Sequence, residues 1–242
     1  MRTRALLAAL LISGCGQSSP GAAPPQPVPA RSSSRSENTE DQRQLAQSRT
    51  IAIALAGDAD GGMFKYPQRG ASIAHIWAET GGAPALDALL DDLTAPIKAR
   101  LIAAEVLFTQ DPTFLSRHRQ DEIALVYCES LRRQIAILNA WGYLWYDGPP
   151  GVLADHIVQL GNAALPCLHD ALDDRTVLSG YKGSEGAVIG NGAHFRVRDF
   201  AGYYLSLITR HPLGLAEPTP MQVDYALRDA AIDRLATELF SP

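Results

Sequence analysis

Hydrophobic residues recur every three or four positions along most of the chain, which is the spacing of one buried face on an amphipathic α-helix. The longest run covers residues 119–145, where Ile123, Tyr127 and Leu131 follow one another at one-turn intervals. Shorter runs on both sides have the same spacing. The pattern predicts an all-α fold in which each helix packs along one face.

Start and end signals divide these runs into separate helices. Pro84 and Pro166 stand at first turns, where proline is favoured because its missing N–H would have no partner there. Thr219-Pro220 is a cap followed by proline, and it predicts the start of the last helix. Residues 40–56 are ambiguous, since the apolar run at their end suits a strand as well as a helix.

Two stretches of the chain, residues 81–107 and 161–205, repeat the same order of features. Each has a glycine break, a proline-started helix with leucines, an acidic end, and a second helix that opens with basic residues and alanines. Helix pairs of this kind cannot bury their apolar faces alone, so neighbouring pairs must stack. The order resembles that of HEAT-type repeats, and the resemblance implies an α-solenoid of stacked helix pairs. Because the two copies lie far apart in the chain, a compact domain of HEAT-like helix pairs is the alternative.

The second copy is interrupted by an insertion, residues 175–193. Two short β-favouring runs, residues 176–178 and 187–189, flank a glycine-rich centre and predict a small β-hairpin. The glycines lack the spacing and the Lys-Ser/Thr ending of a phosphate-binding loop, so we interpret them as turn residues. A long ordered loop on a helical scaffold is a common position for function. The candidate interaction residues in this loop are Tyr181, Lys182, Glu185, Asn191 and His194.

The N-terminus has the order of features of an export signal. Arg2 and Arg4 precede an apolar run, residues 5–12, that is too short to span a bilayer, and Ser13-Gly14-Cys15 follows. This order resembles the lipobox of bacterial lipoproteins, which implies that residues 1–14 are a signal peptide and that Cys15 carries acyl chains. The next residue is glycine, where aspartate would favour inner-membrane retention, so the resemblance favours an outer-membrane anchor facing the periplasm. An ordinary secretory signal is the alternative.

Residues 15–43 consist mainly of Gly, Ser, Pro, Ala, Gln and charged residues. Such a segment cannot bury enough apolar surface to offset its ordering entropy, so the composition predicts a disordered tether. A flexible chain of this length reaches roughly 30 Å, which would let a folded domain stand off the membrane. Residues 44–242 then form one helical domain, which is enough chain for a single core.

The chain carries a formal net charge of −5, and loss of Arg2 and Arg4 with the signal peptide makes the balance more acidic. This balance argues against nucleic acid as a partner and gives no reason to expect adhesion to anionic lipid. No motif indicates a cofactor. Cys128 and Cys167 each lie on an apolar helical stripe, so they either form a disulfide in an oxidising compartment or remain buried thiols.

The candidate metal-binding groups are incomplete. His75 with Glu79 and His118 with Glu122 are spaced i, i+4, so each pair could share a helix face. Neither pair has the further ligands that a zinc site needs, and no HExxH sequence is present. We therefore interpret both pairs as surface residues and expect no metal site.

Two function hypotheses follow, and we favour the first. It is a lipid-anchored binding or scaffold protein of the cell envelope, whose helical surface or Tyr181–His194 loop contacts another envelope protein. The second is an envelope hydrolase or metal-dependent enzyme that uses the same loop. Ser184, His194 and Asp199 supply the residue types of a Ser-His-Asp site, but the Gly-x-Ser-x-Gly elbow is missing.

Overall fold

A computed structural model describes residues 34–57, 62–64, 68–145, 151–183, 185–213 and 224–241. Within these ranges the chain forms twelve α-helices and no strand, so the predicted all-α class is confirmed. In chain order the helices are α1 (Ser34–Gly57), α2 (Arg69–Thr80), α3 (Ala83–Asp91), α4 (Ile97–Gln110), α5 (Phe114–Arg117), α6 (Gln120–Arg132), α7 (Leu138–Trp141), α8 (Val152–Gln159), α9 (Leu165–Ala171), α10 (Glu185–Gly192), α11 (Val197–Thr209) and α12 (Tyr225–Phe240). Short 3-10 turns occur at Gly62–Phe64 and Gly161–Ala164.

The first and last helices differ in extent from the sequence patterns. The ambiguous stretch at residues 40–56 is helical, and α1 begins at Ser34, before the predicted domain boundary at residue 44. The predicted signal peptide and the lipobox cysteine lie outside the described residues, as does Thr219-Pro220. The last helix is described from Tyr225, and the Asp224 side chain caps it by accepting a hydrogen bond from the N–H of Leu227 at 3.1 Å.

Two helices form the centres of the core. α4 contacts α1, α2, α3 and α6, and its residues 101–107 are almost completely buried, since all of them except Glu105 are apolar. α11 contacts α8, α9 and α12 and buries Phe200, Tyr204 and Leu205. α6 packs on α4 at one side and on α9 at the other, so it joins the two centres into one core.

The run at residues 119–145 is broken into two helices, which the periodicity did not predict. α6 ends at Arg132, and the next turn closes with hydrogen bonds from Ile135 N to Ser130 O at 2.9 Å and from Gln134 N to Leu131 O at 3.0 Å. This is a Schellman ending, in which Gln134 adopts φ 51°. Glycine usually fills that position, so the sequence lacks the ordinary signal for a helix end.

Cys128 and Cys167 form a disulfide between α6 and α9, with an S–S distance of 2.05 Å and a Cα–Cα distance of 6.1 Å. Of the two alternatives that the sequence left open, the structure contains the covalent pair. Both cysteines are also buried in the core, as their apolar stripes predicted.

The predicted β-hairpin in the insertion is wrong. Residues 187–189, which we expected to form its second strand, lie in α10. The first run is extended at Val177, which pairs in one antiparallel bridge with Arg196 beyond the helix. Leu178 N donates to Phe195 O at 2.7 Å and Val197 N donates to Thr176 O at 3.0 Å, so this bridge closes the base of the insertion. Short apolar runs suit either structure, and helix packing decides here.

Of the helices in the described part of the chain, not one combines the length and hydrophobicity that crossing a membrane requires.

Candidate functional site

The insertion rests on a cluster of aromatic rings. Tyr181 lies in the insertion, and its ring centroid is 4.9 Å from that of Trp145 and 5.7 Å from that of Tyr143. Trp145 also stacks on Phe195, which follows the insertion, at 5.8 Å. Gly190 of α10 lies against Trp145 and Tyr181, since a Cβ there would come within 2.4 Å and 2.5 Å of them. The insertion is therefore packed on the domain by aromatic side chains.

Tyr181 is an anchor of the insertion. Its ring is buried, and its hydroxyl donates a hydrogen bond to the carbonyl of Gly142 at 2.8 Å. Burial raises the pKa of Tyr181 well above its ordinary value, because a phenolate would lose its solvation there. The side chain therefore stays neutral and faces the core.

Two asparagine side chains hold the backbone at residues 180–182. Asn191 Oδ1 accepts from Gly180 N at 3.1 Å and from Tyr181 N at 3.0 Å, and its Nδ2 donates to Tyr181 O at 3.1 Å. Asn139 Oδ1 accepts from Lys182 N at 2.8 Å, and its Nδ2 donates to Lys182 O at 2.9 Å. Each side-chain amide replaces the peptide group of a missing strand partner. The segment is thus fixed on both sides without a β-sheet.

Between Tyr181 and His194, some described side chains are exposed to solvent without fixing the backbone, and we call them the exposed insertion residues: Lys182, Val188 and His194. Val188 is 76% exposed, although it is a branched aliphatic residue. His194 has φ 47°, and its carbonyl accepts a hydrogen bond from the hydroxyl of Tyr225 at 3.1 Å, so its backbone is tied to α12.

The five candidate interaction residues do not converge on one concave site within the part that the structure describes. Tyr181 faces inward, whereas Asn191, Lys182 and His194 are exposed, and Asn191 also uses its amide to fix the chain. The side chain of Glu185 lies outside the described residues. An interaction role for this loop stays a prediction. Tyr181 and Asn191 hold the loop in place on the domain.

Asp199, which we considered as a catalytic partner of His194, belongs to a buried ion network. Its Oδ1 accepts from Arg196 Nη2 at 2.9 Å, its Oδ2 from Arg196 N at 2.8 Å, and Arg228 Nη1 lies 3.4 Å from Oδ2. Arg196 also pairs with Asp229 of α12 at 2.6 Å. His194 is exposed, and Ser184 lies outside the described residues. Asp199 is the counter-ion of Arg196 and Arg228.

The two histidine–glutamate pairs considered as metal ligands both lie in the described part of the structure. His118 pairs with Asp87 of α3, with 2.8 Å between Nε2 and Oδ1, and not with Glu122. His75 and Glu79 are both exposed on α2. Among the described residues, no group of three or more His, Cys, Asp or Glu side chains is arranged to hold a metal ion.

A buried polar cluster surrounds Glu105, and the sequence patterns did not predict it. This residue is fully buried on α4, and its Oε2 accepts from Arg69 Nη2 at 2.7 Å. Its Oε1 accepts a hydrogen bond from the Tyr127 hydroxyl and lies 2.7 Å from His156 Nδ1. The imidazole of His156 stacks on Phe108, with 4.2 Å between ring centroids.

One signal could have identified this cluster. Glu105 is the single polar residue in the stretch from Leu101 to Phe108, where all the remaining side chains are hydrophobic. A lone carboxylate there must be buried, and a buried carboxylate needs donors. Its partners come from α2, α6 and α8, and periodicity cannot show which helices meet.

No family model matches the chain, and none of the curated proteins or solved structures with which it was compared is significantly similar to it.

Proposed function

We propose that the protein is a lipid-anchored binding protein of the bacterial cell envelope, attached through Cys15 and positioned to contact another envelope protein. The proposal joins a membrane anchor, a tether and a helical binding domain in one chain. The observation that carries the binding role is the rigid attachment of the insertion, from which side chains project into solvent.

The anchor is supported by the order of basic, apolar and small residues before Cys15, which resembles a lipobox. The buried disulfide between Cys128 and Cys167 is the kind of bond that persists in an oxidising compartment such as the periplasm. The proposed location is the outer membrane, with the domain in the periplasm.

The binding role is supported by the exposed insertion residues. Lys182 follows a backbone segment fixed by Asn139 and Asn191, and Val188 projects from a helix that packs on Trp145. Because this base is already ordered, a partner that docked here would lose little conformational entropy in the loop. Val188 is 76% exposed, so it is available for an apolar contact with a partner.

The helical scaffold supports a HEAT-like interpretation. The two predicted copies correspond to the pairs α3–α4 and α9–α11, and in each pair the two helices contact each other. HEAT-like pairs commonly form protein-binding surfaces. We propose that the pairs provide the scaffold and that the insertion adds the specific contact.

The binding proposal can be tested by crosslinking the full-length lipoprotein in intact envelopes and identifying its partners. The test variant is Val188→Asp, and the matched control is Leu125→Asp, which also places an aspartate at an exposed aliphatic position. We expect Val188→Asp to lose a specific partner that the wild type and Leu125→Asp retain. Equal partner recovery from all three proteins would overturn a role for the insertion.

The anchor can be tested separately. We expect Cys15→Ser to abolish metabolic labelling with palmitate and to release the protein from the membrane fraction. Labelling that persists in this variant would contradict the lipidation of Cys15.

A further inference from the structure

A cleft of about 450 Å³ opens beside the C-terminus of α3 and the turn between α5 and α6. This volume lies within the range of small-ligand sites. It is separate in the chain from the insertion. The residues that line it are Leu90, Asp91, Leu93, Arg100, Arg117, His118, Arg119, Glu122 and Ile123.

One hydrogen bond orients the guanidinium of Arg100. Its Nε donates to the carbonyl of Leu90 at 2.9 Å, which fixes the plane of the guanidinium. In the described ranges neither of its terminal nitrogens has an acceptor or an ion-pair partner, so the Nη1/Nη2 edge is left for another group. Burial lowers the pKa of Arg100, and the charges of Asp91 and Asp92 oppose that effect. The group remains a cation that has lost part of its hydration.

The other arginines of the cleft already have carboxylate partners. Arg117 pairs with Asp87 and Asp111, so its charge is used to join α3 to the α4–α5 turn. Arg119 pairs with Glu122 at 2.9 Å across the rim. Among the lining residues, Arg100 is therefore the cation with its donor edge open.

Apolar side chains line the same cleft as Arg100. Leu90 and Ile123 are buried lining residues, whereas Leu93 is 80% exposed. An exposed leucine next to a half-buried guanidinium can contact the apolar part of a ligand whose anionic end meets the arginine. The cleft thus combines one anion donor with an apolar wall.

Two lining carboxylates limit the charge of the ligand. The side chains of Asp91 and Glu122 are 63% and 54% exposed, so solvent screens them, and Glu122 is also paired with Arg119. They weaken the attraction of the cleft for anions without cancelling the contact to Arg100. A phosphate or polyanion is disfavoured more than a single carboxylate, because repulsion grows with ligand charge.

We propose that this cleft binds a ligand with one carboxylate next to an aliphatic group, which is the chemistry of a free peptide C-terminus or a small branched acid. The carboxylate accepts two parallel hydrogen bonds from the Nη1/Nη2 edge of Arg100. The aliphatic group contacts Leu93 and the buried wall formed by Leu90 and Ile123. This site does not depend on the insertion or on a protein partner.

The proposal can be tested by isothermal titration calorimetry on the full lipoprotein in detergent. The probes are N-acetyl-alanyl-leucine, its C-terminal amide, N-acetyl-leucine and inorganic phosphate. We expect the free peptide acid to bind at least tenfold more tightly than its amide, and phosphate to bind more weakly than the acid. A peptide acid that binds more tightly than N-acetyl-leucine indicates a peptide terminus, whereas equal affinities indicate a small acid, and both results support the site.

The variants separate binding from folding. We expect Arg100→Gln to lower the affinity for the peptide acid at least tenfold. Arg119→Gln, at the same cleft, should change this affinity less than threefold. Because the Arg100 bond to Leu90 also ties α4 to α3, Leu93→Ser provides a second variant at an exposed position. We expect Leu93→Ser to lower the affinity for the peptide acid severalfold and to leave the thermal midpoint unchanged.

Equal affinity for the acid and its amide, or an affinity that neither Arg100→Gln nor Leu93→Ser reduces, would overturn the proposal. The experiment uses purified protein and defined small molecules. A negative calorimetry result would not affect the crosslinking result at Val188. A negative crosslinking result would likewise leave the cleft proposal standing.

Discussion

Glu105 is the residue on which the contacts among α2, α4, α6 and α8 converge. Its carboxylate is fully buried, and it receives Arg69, Tyr127 and His156 from three different helices. Removing a carboxylate from water costs several kcal/mol, and only a complete set of donors offsets that cost. Tyr127 contributes as a neutral donor, because burial and the nearby charge of Glu105 raise its pKa well above the ordinary value.

We expect Glu105→Gln to lower the free energy of unfolding by about 3–5 kcal/mol, since it leaves the charge of Arg69 partly buried without its counter-ion. The measurement is urea denaturation, in which the midpoint should fall while the slope stays constant. The control is Glu122→Gln, whose exposed pair with Arg119 should be worth less than about 1 kcal/mol. Equal midpoints for the two variants would show that the cluster does not stabilise the fold.

Asp229 has the corresponding role at α12. It pairs with Arg196 at 2.6 Å and with Arg198 at 3.0 Å, and both arginines are buried. Burial alone would raise the pKa of Asp229, but the hydrogen bonds from Arg196 and the charges of Arg198 and Arg175 outweigh it and lower the pKa. A carboxyl whose pKa is lowered by folding stabilises the protein above its unfolded pKa, and that contribution is lost as the pH falls through the folded pKa.

We expect Asp229→Asn to cost about 3 kcal/mol at neutral pH, because two buried guanidinium groups lose a counter-ion. The difference from the wild type should stay constant between pH 7 and about pH 5 and shrink below about pH 4, where the carboxyl takes up a proton in the unfolded chain while the lowered pKa keeps it ionised in the folded protein. Denaturation midpoints across this pH range provide the measurement. Asp233→Asn is the control, since Asp233 is exposed and forms an ion pair only with Arg198 among the described residues, and its effect should be smaller. A cost for Asp229→Asn that does not shrink in acid would contradict this account.

At the scale of elements, α10 depends on the absence of a side chain at Gly190. A Cβ there would lie 2.4 Å from Trp145 Cη2 and 2.5 Å from Tyr181 Cδ2, closer than carbon atoms can approach. Alanine within a helix usually gains about 0.5–1 kcal/mol over glycine. Here the overlap with two packed rings exceeds that gain, so the helix would have to move away from the aromatic cluster.

We therefore expect Gly190→Ala to destabilise the domain by about 1–3 kcal/mol, which is the usual cost of overpacking. In a domain of this size that cost corresponds to a fall of roughly 2–12 °C in the thermal midpoint. Near-ultraviolet circular dichroism should also lose intensity as Trp145 and Tyr181 separate. Gly70→Ala in α2 is the control, because a Cβ there meets nothing within 4 Å, and it should leave the midpoint unchanged or raise it. A midpoint for Gly190→Ala at or above that of the wild type would show that α10 tolerates the side chain.

The individual helices could largely be predicted from sequence, because amphipathic spacing and proline starts are local signals. The end of α6 could not, since Gln134 adopts the positive φ that glycine usually signals. The β-hairpin failed for a related reason: residues 187–189 suit a strand or a helix, and packing of Gly190 on the aromatic rings decides between them. Local sequence is weakest where a distant contact selects the backbone conformation.

At the scale of the whole molecule, some features of the candidate site could be predicted from local sequence, and others depend on distant contacts. Exposure of Lys182 and His194 follows from a polar surface loop, whereas burial of Tyr181 depends on Gly142 and Trp145, which lie far away in the chain. Arg100 shows the same limit. It lies on a helix with mixed polarity, and the proposed role as an anion donor depends on its orientation by the carbonyl of Leu90 and on the lack of a paired carboxylate among the described residues.

The disulfide joins the two halves of the core. Cys128 lies on α6, which packs on α4, and Cys167 lies on α9, which packs on α11. The cysteines are 39 residues apart, and a crosslink that closes a loop of this size restricts the unfolded chain enough to stabilise the fold by about 4 kcal/mol in the chain-entropy description.

We expect the double variant Cys128→Ala/Cys167→Ala to keep its helical circular dichroism, since α6 and α9 also contact each other through apolar packing. Its free energy of unfolding should fall by about 2–4 kcal/mol, and its urea midpoint should no longer respond to reductant. The wild-type protein in reductant should approach the midpoint of the variant as the two thiols become available to an alkylating reagent. The control is Ser130→Ala, a buried substitution on the same helix that leaves the disulfide intact, and its midpoint should keep the response to reductant. If reduction exposes both thiols and the wild-type midpoint does not move, apolar packing alone joins the halves and the covalent bond is dispensable for stability.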